Sequence, residues 1–141
     1  DAVNGISFLI RRGICFGLLG PNGAGKTTAL EVIEDIISPT EGEVLYNGAS
    51  RKASFREEAG IQFQHTTLLN FMTVRETLTT FQDLYQETET IEHLVDICKL
   101  EDIQGRMNNK ISGGQAQRLM LALALINKPK LIFLDEPSTG L

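Results

Sequence analysis

Between an unbroken apolar run, Ile14-Cys15-Phe16-Gly17-Leu18-Leu19, and an amphipathic stretch with Leu30, Ile33 and Ile37 on one stripe lies Gly20-Pro21-Asn22-Gly23-Ala24-Gly25-Lys26-Thr27. The segment fits G-x-x-x-x-G-K-[ST] in the context that gives the pattern meaning, after a buried strand and before a helix. Gly23 and Gly25 let the backbone turn its N–H groups inward as a concave nest for phosphate oxygens. The following helix aims its partly positive N-terminus at the same place. Lys26 adds a full charge on a flexible stem that reaches β- and γ-phosphates. The Thr27 hydroxyl is the expected Mg²⁺ ligand, and Thr28 a further phosphate contact. A glycine-rich turn that merely opens a helix would satisfy the pattern alone; the flanking elements and the Lys-Thr pair make this a nucleotide site.

A second chemical feature lies far downstream. Leu131-Ile132-Phe133-Leu134 reads as a flat apolar strand, and it ends in Asp135-Glu136. Ligand sites in open parallel sheets lie at the carboxyl ends of strands, so these acids can face the phosphate loop. Successive residues point opposite ways, so the two carboxylates can serve different tasks. Asp135 is assigned to Mg²⁺, directly or through water, and Glu136 to polarising the attacking water. Alone, the pair would read as a strand ending in solvated acids before Pro137. Its coexistence with the phosphate loop favours the chemical role.

Ser112-Gly113-Gly114-Gln115 opens a third helix running to Asn127. Ser-x-x-Gln is a capping box, which explains the helix start by itself. It does not require two consecutive glycines, which lower helix propensity but allow close backbone approach to a ligand. A hydroxyl, bare N–H groups and a helix N-terminus make a second anion site.

The rest of the chain frames these segments. Strands are expected at Val3–Ile10 and Ile14–Leu19, joined by a turn at Arg11-Arg12-Gly13, at Glu43–Tyr46 before an Asn47-Gly48 turn, and at Ile61–Gln64. Helical periodicity covers Val74–Tyr85 and Ile91–Leu100. Strand-rich ends around a helical middle give an α/β class: a parallel-sheet core from 1–65 and 128–141, a small antiparallel β portion, and a helical subdomain at 66–127. A net charge of −5 with no basic block disfavours general nucleic-acid binding. The longest apolar stretch, Leu119 to Ile126, is far short of the ~20 residues that span a bilayer. Cys15 and Cys98 are far apart, make no CxxC pair, and read as small core hydrophobes.

Together Leu19-to-Thr28, Ile111–Arg118 and Leu131–Pro137 resemble, in order and spacing, the Walker A, signature and Walker B segments of the ABC ATPase family, over essentially the whole chain. The resemblance implies a P-loop NTPase core, ATP and Mg²⁺ as ligands, and a head-to-tail dimer. In that dimer Ser112, Gly113, Gly114 and Gln115 of one subunit cap the γ-phosphate held by Lys26 of the other. It also implies that Gln64 is the Q-loop glutamine contacting Mg²⁺ and the attacking water, and that 65–73 faces a transmembrane permease subunit. Ser138-Thr139-Gly140-Leu141 is similar to the opening of the D-loop. The resemblance places the adenine-stacking aromatic before Asp1 and the switch histidine after Leu141, so the chain reads as truncated at both ends.

The function so implied is ATP binding and hydrolysis as the motor subunit of a membrane transporter, of exporter type, peripheral on the cytoplasmic side of the membrane. The alternative is a soluble member of the family acting on ribosomes or DNA. Long coiled coils between the Walker segments have no room here, and zinc-binding cysteines are absent. A GTPase switch is disfavoured because Asn127-Lys128-Pro129-Lys130 lacks the aspartate of the guanine-reading Asn-Lys-x-Asp pattern.

Overall fold

A computed structural model describes residues 3–62 and 68–136, which fall into two compact units divided between Ser50 and Arg51.

In the first unit, helix α1 spans Lys26–Ile33. It stops short of the expected Ile37, and the reason is a C-terminal motif without glycine. Asp35 adopts φ 65°, its N–H donates to the Val32 carbonyl at 3.3 Å, and the Ile36 N–H donates to Glu31 at 2.9 Å. This 5→2 and 6→1 pair is a Schellman cap, built here on an aspartate that tolerates the left-handed region. Strands β1 (Leu45–Tyr46) and β2 (Ala49–Ser50) pair antiparallel. Asn47 and Gly48, at φ 52° and 79°, form the turn the Asn-Gly dipeptide signals, since a type I′ turn needs positive φ at both central positions.

The two strands expected within Val3–Leu19 do not form in the described residues. A β-strand exists only through a neighbour's ladder, and no residue of this run enters one. Ile14, Phe16 and Leu19 are exposed, Leu19 to 92%, and Cys15 is exposed rather than in a core. The expected turn is present: Gly13 has φ 77°, and Phe8 and Phe16 stack across it with centroids 5.1 Å apart.

The second unit holds the parallel pair. After a single-turn helix α2 (Phe55–Glu58), strand β3 (Ala59–Gln62) pairs with β4 (Leu131–Leu134), in register from Ala59 opposite Leu131 to Gln62 opposite Leu134. Parallel strands need a long crossover, and the helices supply it: α3 (Val74–Gln82), α4 (Ile91–Ile97) and α5 (Gly113–Leu125). Their apolar stripes meet in one cluster that includes Val74, Leu78, Leu94, Leu100, Leu119 and Ile126, each fully buried. Each such side chain contributes about 1.5–3 kcal/mol by leaving water. Cys98 lies in this cluster, where burial pushes its thiol pKa up and keeps it a protonated filler. Helix α3 opens on a reciprocal capping box between Thr73 and Glu76. The Thr73 N–H, donated to the Glu76 carboxylate at 2.8 Å, holds that carboxyl below its usual range.

Helix α5 packs on β3 almost backbone to backbone. A Cβ built on Gly60 would lie 2.0 Å from the Ala124 carbonyl oxygen and 3.0 Å from the Pro129 ring. Neither neighbour is a flexible side-chain tip, so Gly60→Ala must push helix and strand apart. The expected loss is about 3 kcal/mol, at the upper end for overpacking, read as a lowered denaturation midpoint. Gly105→Ala, where the added methyl meets nothing within 4 Å, should leave the midpoint nearly unchanged.

Candidate nucleotide site

The phosphate loop belongs to the first unit. Gly23 and Gly25 take φ 82° and 86°, a region open to glycine and costly for side chains with a Cβ. Gly25 is the N-cap of α1 and no side chain caps that helix. Its leading N–H groups are orphan donors that a helix normally satisfies with a cap, water or ligand. The Ala24 N–H closes the loop on the Pro21 carbonyl at 3.2 Å. The Lys26 ammonium lies back over the same loop, donating to the Gly20 carbonyl and, at 3.4 Å, to that of Pro21. Thus Gly20, Pro21, Asn22, Gly23, Ala24, Gly25 and Lys26 are one closed turn. Thr27 is exposed and Thr28 half-buried on the first turn of α1. A glycine cap with a flexible cation across it is an anion cradle.

The second unit carries the acids and the other helix terminus. β4 delivers Asp135, half-buried, and Glu136, exposed. Glu136 has φ 46°, a left-handed conformation uncommon for a residue with a long side chain. The chain therefore leaves the strand direction at the second carboxylate. β3 exits at the same end, since the strands are parallel and Gln62 pairs with Leu134. Gln64, two residues on, lies outside the described residues, as do Pro137 and the Ser138–Leu141 segment.

Helix α5 runs antiparallel to β3, because Asn127 touches Ala59, Ala124 touches Gly60, and Gln117 touches Gln62. Its N-terminus therefore lies toward the strand end from which the acids depart. There the capping box expected from Ser-x-x-Gln is complete. The Gln115 N–H donates to Ser112 Oγ at 3.2 Å, and the Ser112 N–H donates to Gln115 Oε1 at 2.8 Å. Gly113 has nothing within 4 Å of where a Cβ would stand, so internal packing does not call for a glycine at that position. Ser112 and Gly113 are exposed while Gly114 and Gln115 are half-buried.

Three polar residues that sequence reasoning missed pin these elements. Gln62, 4% exposed, donates through Nε2 to Gln117 Oε1 at 2.9 Å. Asn127, equally buried, donates to the Glu57 and Ala59 carbonyls at 3.0 and 2.9 Å. Asn108 donates to the Leu69 carbonyl at 2.9 Å and to the Thr77 hydroxyl at 2.8 Å. The available signal was an amide interrupting an apolar stretch, as Gln62 does beside Ile61 and Asn127 does after Ile126.

Known proteins resemble this chain over nearly its whole length. The chain is 40% identical over 147 residues to the Nod factor export ATP-binding protein I of Burkholderia lata, covering 99% of this chain and 48% of that protein. It is 38% identical over 143 residues to the spermidine/putrescine import ATP-binding protein PotA of Trichodesmium erythraeum, covering 96% of this chain and 38% of the other. The chain thus spans about half the length, or less, of these relatives. Among solved structures, a dimeric bacterial ABC transporter cassette superposes with TM-score 0.72 at 29% identity, over 86% of this chain and 60% of that one. A post-hydrolysis state of an ATP-binding cassette bound to ADP and Pi gives the same values. The fold is therefore the α/β P-loop NTPase fold of those cassettes. With the family model for ABC transporters matching residues 3–139, the chain belongs to the ABC transporter family.

Proposed function

We propose that the chain is the ATP-binding and hydrolysing core of a transporter's motor subunit. The observation that carries this reading is the phosphate loop: two glycines at positive φ, an α1 N-terminus without a side-chain cap, and Lys26 folded over the turn. In this reading the N–H groups of Gly23 to Thr28 bind the phosphate chain, and Lys26 swings from the Gly20 and Pro21 carbonyls to the β- and γ-phosphates. Thr27 and Asp135 would supply hard oxygen ligands for Mg²⁺, Asp135 directly or through water, and Gln64 would be a further contact. Among the described residues no cluster of three or more His, Cys, Asp or Glu could cage a metal. Mg²⁺ needs no such cage, since it is ordinarily held by one or two carboxylates together with substrate phosphates and waters. When bound, the ion neutralises charge on the phosphates. Glu136 holds the attacking water in line and takes its proton.

The finer assignments follow from the same reading. The α5 N-terminus, with Ser112 and the side-chain-free Gly113, receives the γ-phosphate bound by a second copy or a related subunit, giving a head-to-tail dimer. Residues 66–127 act as a helical arm on a core of 1–65 and 128–141. No helix among the described residues is long and apolar enough to cross a membrane, so transport requires a separate permease segment or subunit. Its docking face is placed at Leu69 and Phe71, exposed to 51% and 74%. Beside them lies a groove of about 660 Å³ lined by Phe71, Met72, Arg75, Glu76 and Gln104. The protein then sits on the cytoplasmic face of that membrane. Export is preferred, because the relatives named for export are 39% to 42% identical and one named for import is 38% identical.

Turnover by the full-length protein is the test. Mg²⁺-dependent release of ADP and phosphate is expected; a protein that binds ATP and releases neither would contradict the reading.

A further inference from the structure

We infer that the Gln62–Gln117 hydrogen bond is a positioning latch: it holds the N-terminal half of α5, and with it the Ser112–Gln115 cap, in register with the strand end that delivers Asp135 and Glu136. The inference rests on the functional reading above for its catalytic consequence, and on geometry for the latch itself.

Three described attachments tie β3 and its lead-in to helix α5 and the residues just after it. Toward its C-terminus the attachment is doubly secured. The Gly60 and Ala124 backbones are in direct contact, and Asn127 bonds the carbonyls of Glu57 and Ala59. Toward its N-terminus, seven residues before Ala124, the described polar attachment is Gln62 Nε2 to Gln117 Oε1 at 2.9 Å. A helix rises 1.5 Å per residue, so the Ser112 cap lies only about 7–8 Å beyond Gln117. Gln62 is 4% exposed and stands opposite Leu134, the residue before Asp135.

Burying a primary amide is unfavourable unless it is paired, and a leucine or methionine would fill the Gln62 position without that requirement. The side-chain bond adds direction where an apolar contact would allow α5 to slide. Gln62 and Gln117 are thus positioning residues. Neither is assigned a contact with nucleotide or water. Their effect is on where Ser112 sits relative to the acids, and small displacements of such groups are costly to rate.

The test uses Gln62→Met, Gln117→Met and the double variant in the full-length protein. Methionine keeps the volume and helix or strand compatibility of glutamine, so the melting temperature is expected to hold within a few degrees. Amide hydrogen exchange should accelerate over 112–118 in each variant and stay unchanged over 122–126. This readout does not depend on turnover. The kcat for ATP should fall about 5-fold with the ATP Kd unchanged, and the double variant should be no worse than either single one. Unaltered exchange over 112–118 overturns the latch. So do kcat losses that multiply in the double variant, or that track a drop in melting temperature. If exchange accelerates as expected while the parent protein hydrolyses no ATP, the latch stands and the functional reading fails.

Discussion

The Glu136→Gln variant of the full-length protein is expected to bind ATP as the parent does and to lose turnover by about 10²–10⁴-fold, the range attributable to a positioned proton acceptor. The amide keeps the length and planarity of the carboxylate but takes no proton from water. Glu136 is exposed and follows β4 in a left-handed conformation, so the substitution disturbs no core packing. Single-turnover quench kinetics separate binding from chemistry. With hydrolysis blocked, bound ATP persists, and a rise in sedimentation coefficient with ATP is the expected sign of a closed dimer. Turnover at the parental rate would remove Glu136 from the reaction and leave the acid pair without a catalytic member.

Lys26→Ala should act at the earlier step. Truncating one partner of a desolvated charge pair costs about 2–5 kcal/mol, which corresponds to roughly 30- to 4,000-fold weaker ATP binding. Among the described residues the Lys26 ammonium bonds the loop carbonyls of Gly20 and Pro21. Its removal should therefore leave the melting temperature of the ligand-free protein nearly unchanged. Titration calorimetry with ATP reads the affinity. Retained tight binding would reject the cradle, because no other charged side chain is assigned to the phosphates from that loop.

What the sequence made legible follows how local each signal is. The phosphate loop, the Asn47-Gly48 turn and the Ser112–Gln115 cap are each specified within a few residues by glycine freedom or by reciprocal hydrogen bonds, and all three have the anticipated local geometry. β4 was legible because four apolar residues lie between Lys130 and Asp135. β3 begins at Ala59, two residues before the expected Ile61, since its register is set by Leu131–Leu134 across a long crossover and not by its own pattern; the expected end at Gln64 lies outside the described residues. The end of α1 was misplaced because its Schellman cap uses Asp35 where glycine is the usual marker. Val3–Leu19 shows the opposite error. Apolar runs announce a capacity for strand, yet a strand is made by its neighbour, and sequence pattern alone does not say which neighbour is there. Buried amides such as Gln62 and Asn127 were hidden for a related reason: their partners, Gln117 and the Glu57 and Ala59 carbonyls, are 55 to 70 residues away.

The central claim is that the lysine-bearing loop and the acid leaving β4 serve one metal-bound triphosphate. The most direct measurement substitutes Mn²⁺ for Mg²⁺ with ATP in the full-length protein and records its electron–nuclear double resonance, reading phosphorus couplings at the metal. The account predicts phosphorus-coupled Mn²⁺ in the parent protein, and loss of the bound-metal signal in Thr27→Val and in Asp135→Asn alike. A spectrum and ATP affinity left intact by Asp135→Asn would contradict it, because the acid and the loop would then belong to separate sites.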